Sequence, residues 1–208
     1  MKREKVIEDL ENAIARRIYE PGGRLVEAQL CKRYRVGRTI IREVLRRLEQ
    51  DGFVKITPNS GASVSELSQK EIENIYDLMG TLEGLAMRIA TPSLGKKEVD
   101  TIEKFIKKMG ALNNPYHLYE NNFKFHCFMD SLSENERLIK FIRNLRAQAM
   151  RISLRSFYNP GQVKESKKEH QEIFEAIKEG DPIKVENSIR NHYLQSKNRL
   201  FKYLNKSL

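Results

Sequence analysis

The sequence predicts a mostly α-helical protein in two parts: an N-terminal winged helix-turn-helix (three helices plus a β-hairpin) and a C-terminal all-α helical bundle. Apolar residues recur at helical spacing through most of the chain, and they alternate like a strand only near residues 53–64. Breaks containing proline, glycine or asparagine separate the helical stretches. The predicted boundary divides the 208 residues into 1–66 and 67–208, and both lengths suit folded domains.

The first part is predicted to hold three helices and a short hairpin. The third helix carries a buried stripe of Ile41, Val44, Leu45 and Leu48. The segment Pro58-Asn59-Ser60-Gly61 reads as the turn of the hairpin. The predicted helices lie near residues 4–19, 27–34 and 38–50, and the strands near 53–57 and 62–64.

The second part is predicted to be helical almost throughout. Its first helix carries an apolar stripe that we place in the bundle core, with a dimer contact as the alternative; the stripe comprises Ile72, Ile75, Met79, Leu82 and Ala86. The predicted helices lie near residues 69–90, 96–111, 115–132, 135–157, 163–179 and 182–204.

Composition limits the classes of function. Lysine and arginine total 38 against 28 acidic residues, a net charge of +10, which favours an anionic partner. The two cysteines, Cys31 and Cys127, are far apart, which excludes a disulfide framework and a thiolate zinc site. No stretch approaches the ~20 apolar residues of a membrane span, and no secretory signal is present, so we expect a cytoplasmic protein without membrane contact.

The third helix has the pattern of a DNA-reading helix. Opposite its apolar stripe lie Thr39, Arg42 and Arg46, with Arg38 at the flank. The segment from Lys32 to Arg47 contains seven basic residues and one acidic residue. Arginine can fork to guanine in the major groove, so we predict double-stranded DNA as the partner. The alternative is a solvated basic face.

This part resembles the GntR-type transcription regulators. The resemblance rests on the segment from Pro21 to Glu27, on Leu30, on the segment from Val36 to Gly52, and on Gly61-Ala62-Ser63-Val64. It implies that Arg38, Thr39 and Arg42 contact DNA and that the wing turn near Gly61 enters the minor groove. Two departures concern the turn: Gly37 stands where the family usually has serine or threonine, and Arg35 replaces a frequent glycine and would add a phosphate contact.

Three histidines of the second part form a candidate metal site. Asn122 and His126 lie one helical turn apart, so their side chains point to the same side. His170 and His192 lie on the last two helices. If these three helices pack together, three imidazoles and one amide oxygen meet inside the bundle.

This part resembles the all-helical, FCD-type ligand-binding domain of the FadR-like branch of the GntR regulators. The matching segments are 82–86, 122–126, Asn135, 169–170, 176–181 and His192. In many relatives an aspartate and three histidines hold a divalent metal; here Asn122 replaces the aspartate, which weakens the affinity. Imidazole-rich sites favour zinc or nickel. Met79 stands where relatives commonly carry an arginine that binds a carboxylate ligand, so an organic acid effector is less strongly implied. Arg146 or Arg151 could replace that arginine, although we favour packing or surface roles for both.

These patterns together predict a homodimeric, DNA-binding transcription regulator controlled by a small-molecule effector, and not an enzyme. A helical metal-dependent enzyme with an appended basic domain is the alternative, because histidine-bound metals can activate water. Against it, the sequence has no H-E-x-x-H motif and no nucleophile–base pair. A metal-stabilised interaction module without an effector is a third interpretation.

Overall fold

The computed structural model describes residues 2–153, 157 and 160–204. The chain forms two compact units, Met1–Gln69 and Lys70–Leu208.

The first unit has three helices and a small antiparallel sheet. The predicted hairpin is present, with Val54 opposite Val64 and Thr57 opposite Gly61. Its elements are α1 (Lys2–Ala15), β1 (Arg24–Leu25), α2 (Glu27–Tyr34), α3 (Arg38–Gln50), β2 (Val54–Thr57) and β3 (Gly61–Val64).

Two details of this unit differ from the sequence prediction. The two-residue strand β1 pairs with β3, which gives a three-stranded sheet in the order β1-β3-β2. Two residues are too few for alternation to be visible in the sequence. Helix α1 ends at Ala15 rather than near residue 19, and Arg17 in the following turn has a φ of 56°.

The predicted stripe of α3 forms the centre of the first core. Helix α3 packs on α1, α2 and β2. The backbone N–H of Ile56 in β2 donates to Glu49 Oε1 at 2.9 Å, which ties the wing to α3. The buried core residues include Leu10, Ile14, Leu30, Ile41, Val44, Leu45, Leu48 and Phe53.

The turn between α2 and α3 contains the two residues, Arg35 and Gly37, that depart from the family pattern. Arg35 adopts the left-handed conformation, with φ 52° and ψ 49°, which glycine tolerates more readily than arginine does. Gly37 is the N-cap of α3 in an extended conformation, and a Cβ added there would meet nothing within 4 Å. A serine or threonine would therefore fit this position, and glycine is only slightly worse as an N-cap.

The second unit is a helical bundle. A short 3₁₀ turn, Thr91–Ser93, follows its first helix. Side chains cap several of the helices: Asn114 Oδ1 accepts from the His117 N–H, and Asn135 Oδ1 accepts from the Leu138 N–H. The helices are α4 (Gln69–Ala90), α5 (Lys96–Ala111), α6 (Pro115–Ser131), α7 (Glu136–Ser153), α8 (Pro160–Glu179) and α9 (Pro182–Leu204).

The start of α8 differs from the predicted limit. Helix α8 begins at Pro160, where the sequence predicted residue 163. Helix α7 is described as far as Ser153. Its predicted end near residue 157 depends on residues 154–156, which lie outside the described part.

Two glycines of α4 set how closely α9 approaches. A Cβ at Gly80 would lie 3.0 Å from Tyr193 Cβ, and one at Gly84 would lie 3.2 Å from the backbone oxygen of Glu186. These contacts place Tyr193 against α4. Four residues of the predicted α4 stripe are buried, namely Ile72, Ile75, Met79 and Ala86, and Leu82 is half-buried.

Within the described part of the chain, no helix is long and apolar enough to cross a membrane.

Candidate functional site

Three imidazoles meet in the interior of the second unit. His126 of α6, His170 of α8 and His192 of α9 are all buried. One ring nitrogen of each lies within 4.8 Å of those of the other two. The Nε2 atoms of His126 and His170 are 3.2 Å apart. The structure therefore brings together the three histidines that the sequence predicted as metal ligands.

Each imidazole is held from its other nitrogen. Nδ1 of His126 lies 2.9 Å from Glu83 Oε2, Nδ1 of His170 lies 2.6 Å from the backbone oxygen of Ser166, and Nδ1 of His192 lies 2.8 Å from Glu169 Oε2. A carboxylate or a carbonyl accepts in each pair, so Nδ1 donates. In the neutral ring this leaves Nε2 without a proton, with its lone pair free to bind a metal.

The environment keeps two of these rings neutral. Burial, reinforced by neighbouring positive charge, holds the pKa of His126 and that of His170 well below the usual range. Two unprotonated nitrogens at 3.2 Å repel each other unless a cation lies between them. Bonds of 2.0–2.1 Å around a tetrahedral zinc ion would separate ligand nitrogens by about 3.3–3.4 Å. The spacing of His126 and His170 therefore suits two ligands of one metal ion.

Asn122 adds an oxygen to the same place. It lies one turn before His126 on α6, and both residues line one cavity of about 90 Å³. Its Oδ1 atom is buried and has no hydrogen-bond partner within the described residues. A buried polar atom without a partner is costly. A metal bound by the histidines would satisfy it, so the donor set fits a divalent transition metal.

A buried charge network supports the histidines. Glu83 is fully buried, and its carboxylate accepts from Arg146 and from the Tyr193 hydroxyl, the latter at 2.6 Å. Arg146 also donates to Asp130. Burial, together with the charge of Glu83, raises the pKa of Asp130 to about 8 even though Arg146 opposes the shift. Burial raises the pKa of Glu83 as well, although Arg146, Tyr193 and His192 oppose that shift.

The arginines of the cavity are thus already engaged. Arg146 is buried in the network, as expected for a packing residue, and Arg199 forms a two-point contact with Glu169. The side chain of Arg151 lies outside the described part. Met79, at the position of the family's arginine, lines the cavity with aromatic residues that include Tyr76 and Tyr119.

The predicted DNA-contacting residues lie on the surface of the first unit. The side chains of Arg38, Thr39, Arg42 and Arg46 are exposed along α3, opposite the buried stripe. Arg35 and Gly61 are exposed as well, and Gly61 has a φ of 84°. All six residues predicted to contact DNA are therefore accessible on this unit: Arg35, Arg38, Thr39, Arg42, Arg46 and Gly61.

Sequence reasoning did not find the residues that hold the imidazoles. The signal for Glu83 was available, because it is an acidic residue on the same side of α4 as the buried Tyr76, Met79 and Met87. A charge on an apolar face requires a buried partner. Glu169 has no such signal in the sequence, because its partner is His192, 23 residues later on another helix.

A winged helix with an exposed arginine stripe, together with a helical bundle enclosing a histidine cluster and a cavity, defines a DNA-binding regulator with a sensor-type domain. The chain matches the bacterial regulatory proteins of the gntR family over residues 2–64 and the FCD domain over residues 74–195. The protein belongs to the GntR family of bacterial transcription regulators, as a member with a C-terminal FCD domain.

Several relatives are similar over most of the chain. An uncharacterized HTH-type transcriptional regulator of Bacillus subtilis, YdhC, is 26% identical over 88% of this chain and 84% of its own. The HTH-type transcriptional repressor RspR of Escherichia coli is 23% identical over 88% and 82% of the two chains. The matches are to regulators, which confirms the prediction that the chain is not an enzyme and decides against the metalloenzyme alternative.

Solved structures share the fold. The E. coli protein McbR/YncC superposes with a TM-score of 0.81 at 19% identity and covers 98% of this chain and 99% of its own. A GntR regulator from Rhodococcus sp. RHA1 has a TM-score of 0.77 at 19% identity, covering 96% and 97%. These likenesses confirm the fold class predicted from the sequence.

The charge network gives a prediction for stability. Replacing Arg146 by methionine should destabilise the second unit by about 3–5 kcal/mol, because the buried Glu83 carboxylate loses its compensating cation. Arg143→Met removes an exposed arginine from the same helix and should change stability by less than about 0.5 kcal/mol. Urea unfolding of the full chain, followed by circular dichroism, measures both. Equal stability of the two variants would contradict the role assigned to Arg146.

Proposed function

We propose that this regulator is a homodimer that binds operator DNA through α3 and the wing, and that its FCD domain senses a small molecule beside a bound divalent metal. The observation that carries the proposal is the meeting of three imidazoles, each oriented by an acceptor on Nδ1, at a cavity in the FCD domain. Acting on DNA, the protein would work in the cytoplasm.

The DNA-binding part of the proposal rests on the two faces of α3. One face is buried, with Ile41, Val44 and Leu48 fully covered. The other exposes Arg38, Thr39, Arg42 and Arg46 over a little more than two helical turns. We place this face in the major groove, with Arg35 at a phosphate and the wing turn at Gly61 in the minor groove.

Arg42 tests this assignment. Arg42→Ala should weaken binding to a duplex selected from a random pool by about 1–3 kcal/mol, because a guanidinium fork to a base edge is lost. Arg137→Ala removes the same charge from an exposed position of α7 and serves as the control. Fluorescence anisotropy on the selected duplex measures both. A selected-site affinity of Arg42→Ala equal to that of the control would reject the assignment.

The metal part of the proposal assigns four ligands. His126, His170 and His192 would bind through Nε2, and Asn122 would bind through Oδ1. A metal held there would act as a Lewis acid toward a ligand oxygen. Because all four donors are neutral, no ligand lowers the charge of the metal, and zinc and nickel are the ions best suited to imidazole donors.

Variants of Asn122 and His192 test the metal site, with His117 as the control. Asn122→Asp should tighten metal binding roughly tenfold or more, because a carboxylate adds a negative charge to the ligand set. His192→Ala should remove most of the bound metal. His117→Ala is the matched control, since His117 is exposed at the start of α6. Elemental analysis of the purified chain and competition titrations with zinc and nickel give the result, and identical metal contents in the two alanine variants would exclude the site.

The cavity favours a domain that senses a small molecule over a metal-stabilised interaction module without an effector. Three of the four residues that would hold the metal line it, namely Asn122, His126 and His192, so a small molecule bound there would lie beside the metal. An effector that prefers one arrangement of the dimer would change DNA affinity about 5- to 150-fold through a coupling of 1–3 kcal/mol. Since Arg146 and Arg199 are engaged with carboxylates, an organic acid would rely mainly on the metal for charge compensation.

An exposed apolar patch supports the proposed homodimer. On α4, Leu78 and Ile89 are 49% and 44% exposed, and on the adjacent α7, Phe141 is 67% exposed. The half-buried Leu82 and Leu85 lie between them and pack on Leu138 and Ile142 of α7. Large apolar side chains exposed on two helices that pack on each other are typical of an interface. A two-fold dimer would present two reading helices to a two-fold operator.

Phe141→Glu should convert the dimer to a monomer at micromolar concentration, because a two-fold contact would bury the new charge twice. Tyr116→Glu changes an exposed aromatic residue at the start of α6, outside the patch, and should leave the oligomeric state unchanged. Light scattering coupled to gel filtration distinguishes the two masses. A Phe141→Glu chain that remains a dimer would place the interface elsewhere.

A further inference from the structure

One of the exposed arginines of α3 is held by an acidic residue of the preceding helix. Arg42 Nε lies 3.1 Å from both carboxylate oxygens of Glu27. Glu27 is the first residue of α2, where the positive end of the helix dipole favours a carboxylate. Helices α2 and α3 pack on each other, so the carboxylate is fixed relative to the helix that carries Arg42.

The contact leaves the outer end of the guanidinium open. Glu27 accepts from Nε, and the two terminal nitrogens of Arg42 form no hydrogen bond or ion pair with the described residues. Those two nitrogens can donate together to O6 and N7 of guanine. The Arg42 side chain remains 63% exposed. The acid thus restrains the arginine without occupying the atoms that a base would use.

The other candidate arginines of this surface lack such a support. Within the described residues, Arg35, Arg38 and Arg46 have no hydrogen bond or ion pair between side chains. An unrestrained arginine can follow a phosphate in many orientations, whereas reading a base requires one orientation. The support at Arg42 therefore distinguishes it from its neighbours.

We infer that Glu27 is a positioning residue for sequence reading: it fixes Arg42 in the orientation that discriminates one base pair, and its own charge opposes binding to unrelated DNA. This inference rests on the proposed DNA contact of Arg42. A carboxylate beside the phosphate backbone disfavours every duplex alike. The gain from orienting Arg42 is confined to duplexes that carry the correct base, so Glu27 increases the ratio of specific to non-specific affinity.

The experiment compares Glu27→Ala with Glu43→Ala in the full chain. Glu43 is the matched control, because it is an exposed acid adjacent to Arg42 on α3 whose partner is Arg3 at 3.5 Å. Both variants remove one negative charge from the same surface. Anisotropy is measured on the duplex selected by the wild-type chain, on its single-base substitutions and on an unrelated duplex, at two salt concentrations.

Glu43→Ala should raise affinity for all duplexes by a similar factor and leave the ratios unchanged. Glu27→Ala should raise affinity for unrelated DNA in the same way but reduce discrimination at the Arg42-dependent base pair by roughly fivefold or more. Glu27→Gln, which keeps an acceptor for Nε–H, should retain part of that discrimination. In an Arg42→Ala background, Glu27→Ala should have no further effect on discrimination. The glutamine variants at both positions repeat the comparison if Glu27→Ala does not fold.

Equal affinity ratios for the Glu27 and Glu43 variants would overturn the inference while leaving the DNA contact of Arg42 in place. A wild-type chain that selects no sequence, or a selected site that Arg42→Ala binds normally, would instead reject the proposed contact and the inference with it. The loss of discrimination at one base pair alone separates positioning from general folding damage, which would weaken all duplexes.

Discussion

The carboxylate of Glu83 joins four helices at the centre of the FCD domain. From α4 it accepts hydrogen bonds from His126 of α6, Arg146 of α7 and Tyr193 of α9. A buried carboxylate is stable only when charge and hydrogen bonds compensate it, and here one arginine and two neutral donors do so. Because the same atoms orient His126, the stability of the bundle and the geometry of the histidine cluster depend on one network. A change that loosens the helices would also turn the imidazole.

Acidic residues orient the candidate ligand and DNA-contacting side chains in both units. Glu83 and Glu169 hold two imidazoles by Nδ1, and Glu27 holds an arginine by Nε. In each case the acid binds the nitrogen nearer the main chain and leaves the outer nitrogens for another partner. The environment differs: Glu83 is fully buried and its network is rigid, whereas the Glu27 contact is exposed to water and screened by salt. The exposed contact is therefore suited to setting orientation rather than stability.

The sequence was sufficient for features that depend on one helix or one hairpin. The stripe of α3, the wing and the one-turn spacing of Asn122 and His126 are periodic features, and the structure contains them. The meeting of His126 with His170 and His192 required the added assumption that three helices pack together. The supports Glu27, Glu83 and Glu169 could not be assigned, because each binds a side chain from another helix. Strand β1 was missed because a two-residue strand is defined only by its partner β3.

The replacements at positions 122 and 79 act on charge in opposite directions. A neutral Asn122 would leave a bound dication its full charge, whereas Met79 supplies no cation to the cavity that it lines. The remaining arginines are balanced, Arg146 by Glu83 and Arg199 by Glu169. The metal would then be the main source of positive charge for an anionic effector, and the effector would supply the charge that the missing aspartate does not. By linkage each would strengthen the binding of the other by the same factor, so the domain would respond to the metal and the small molecule together rather than to either one separately.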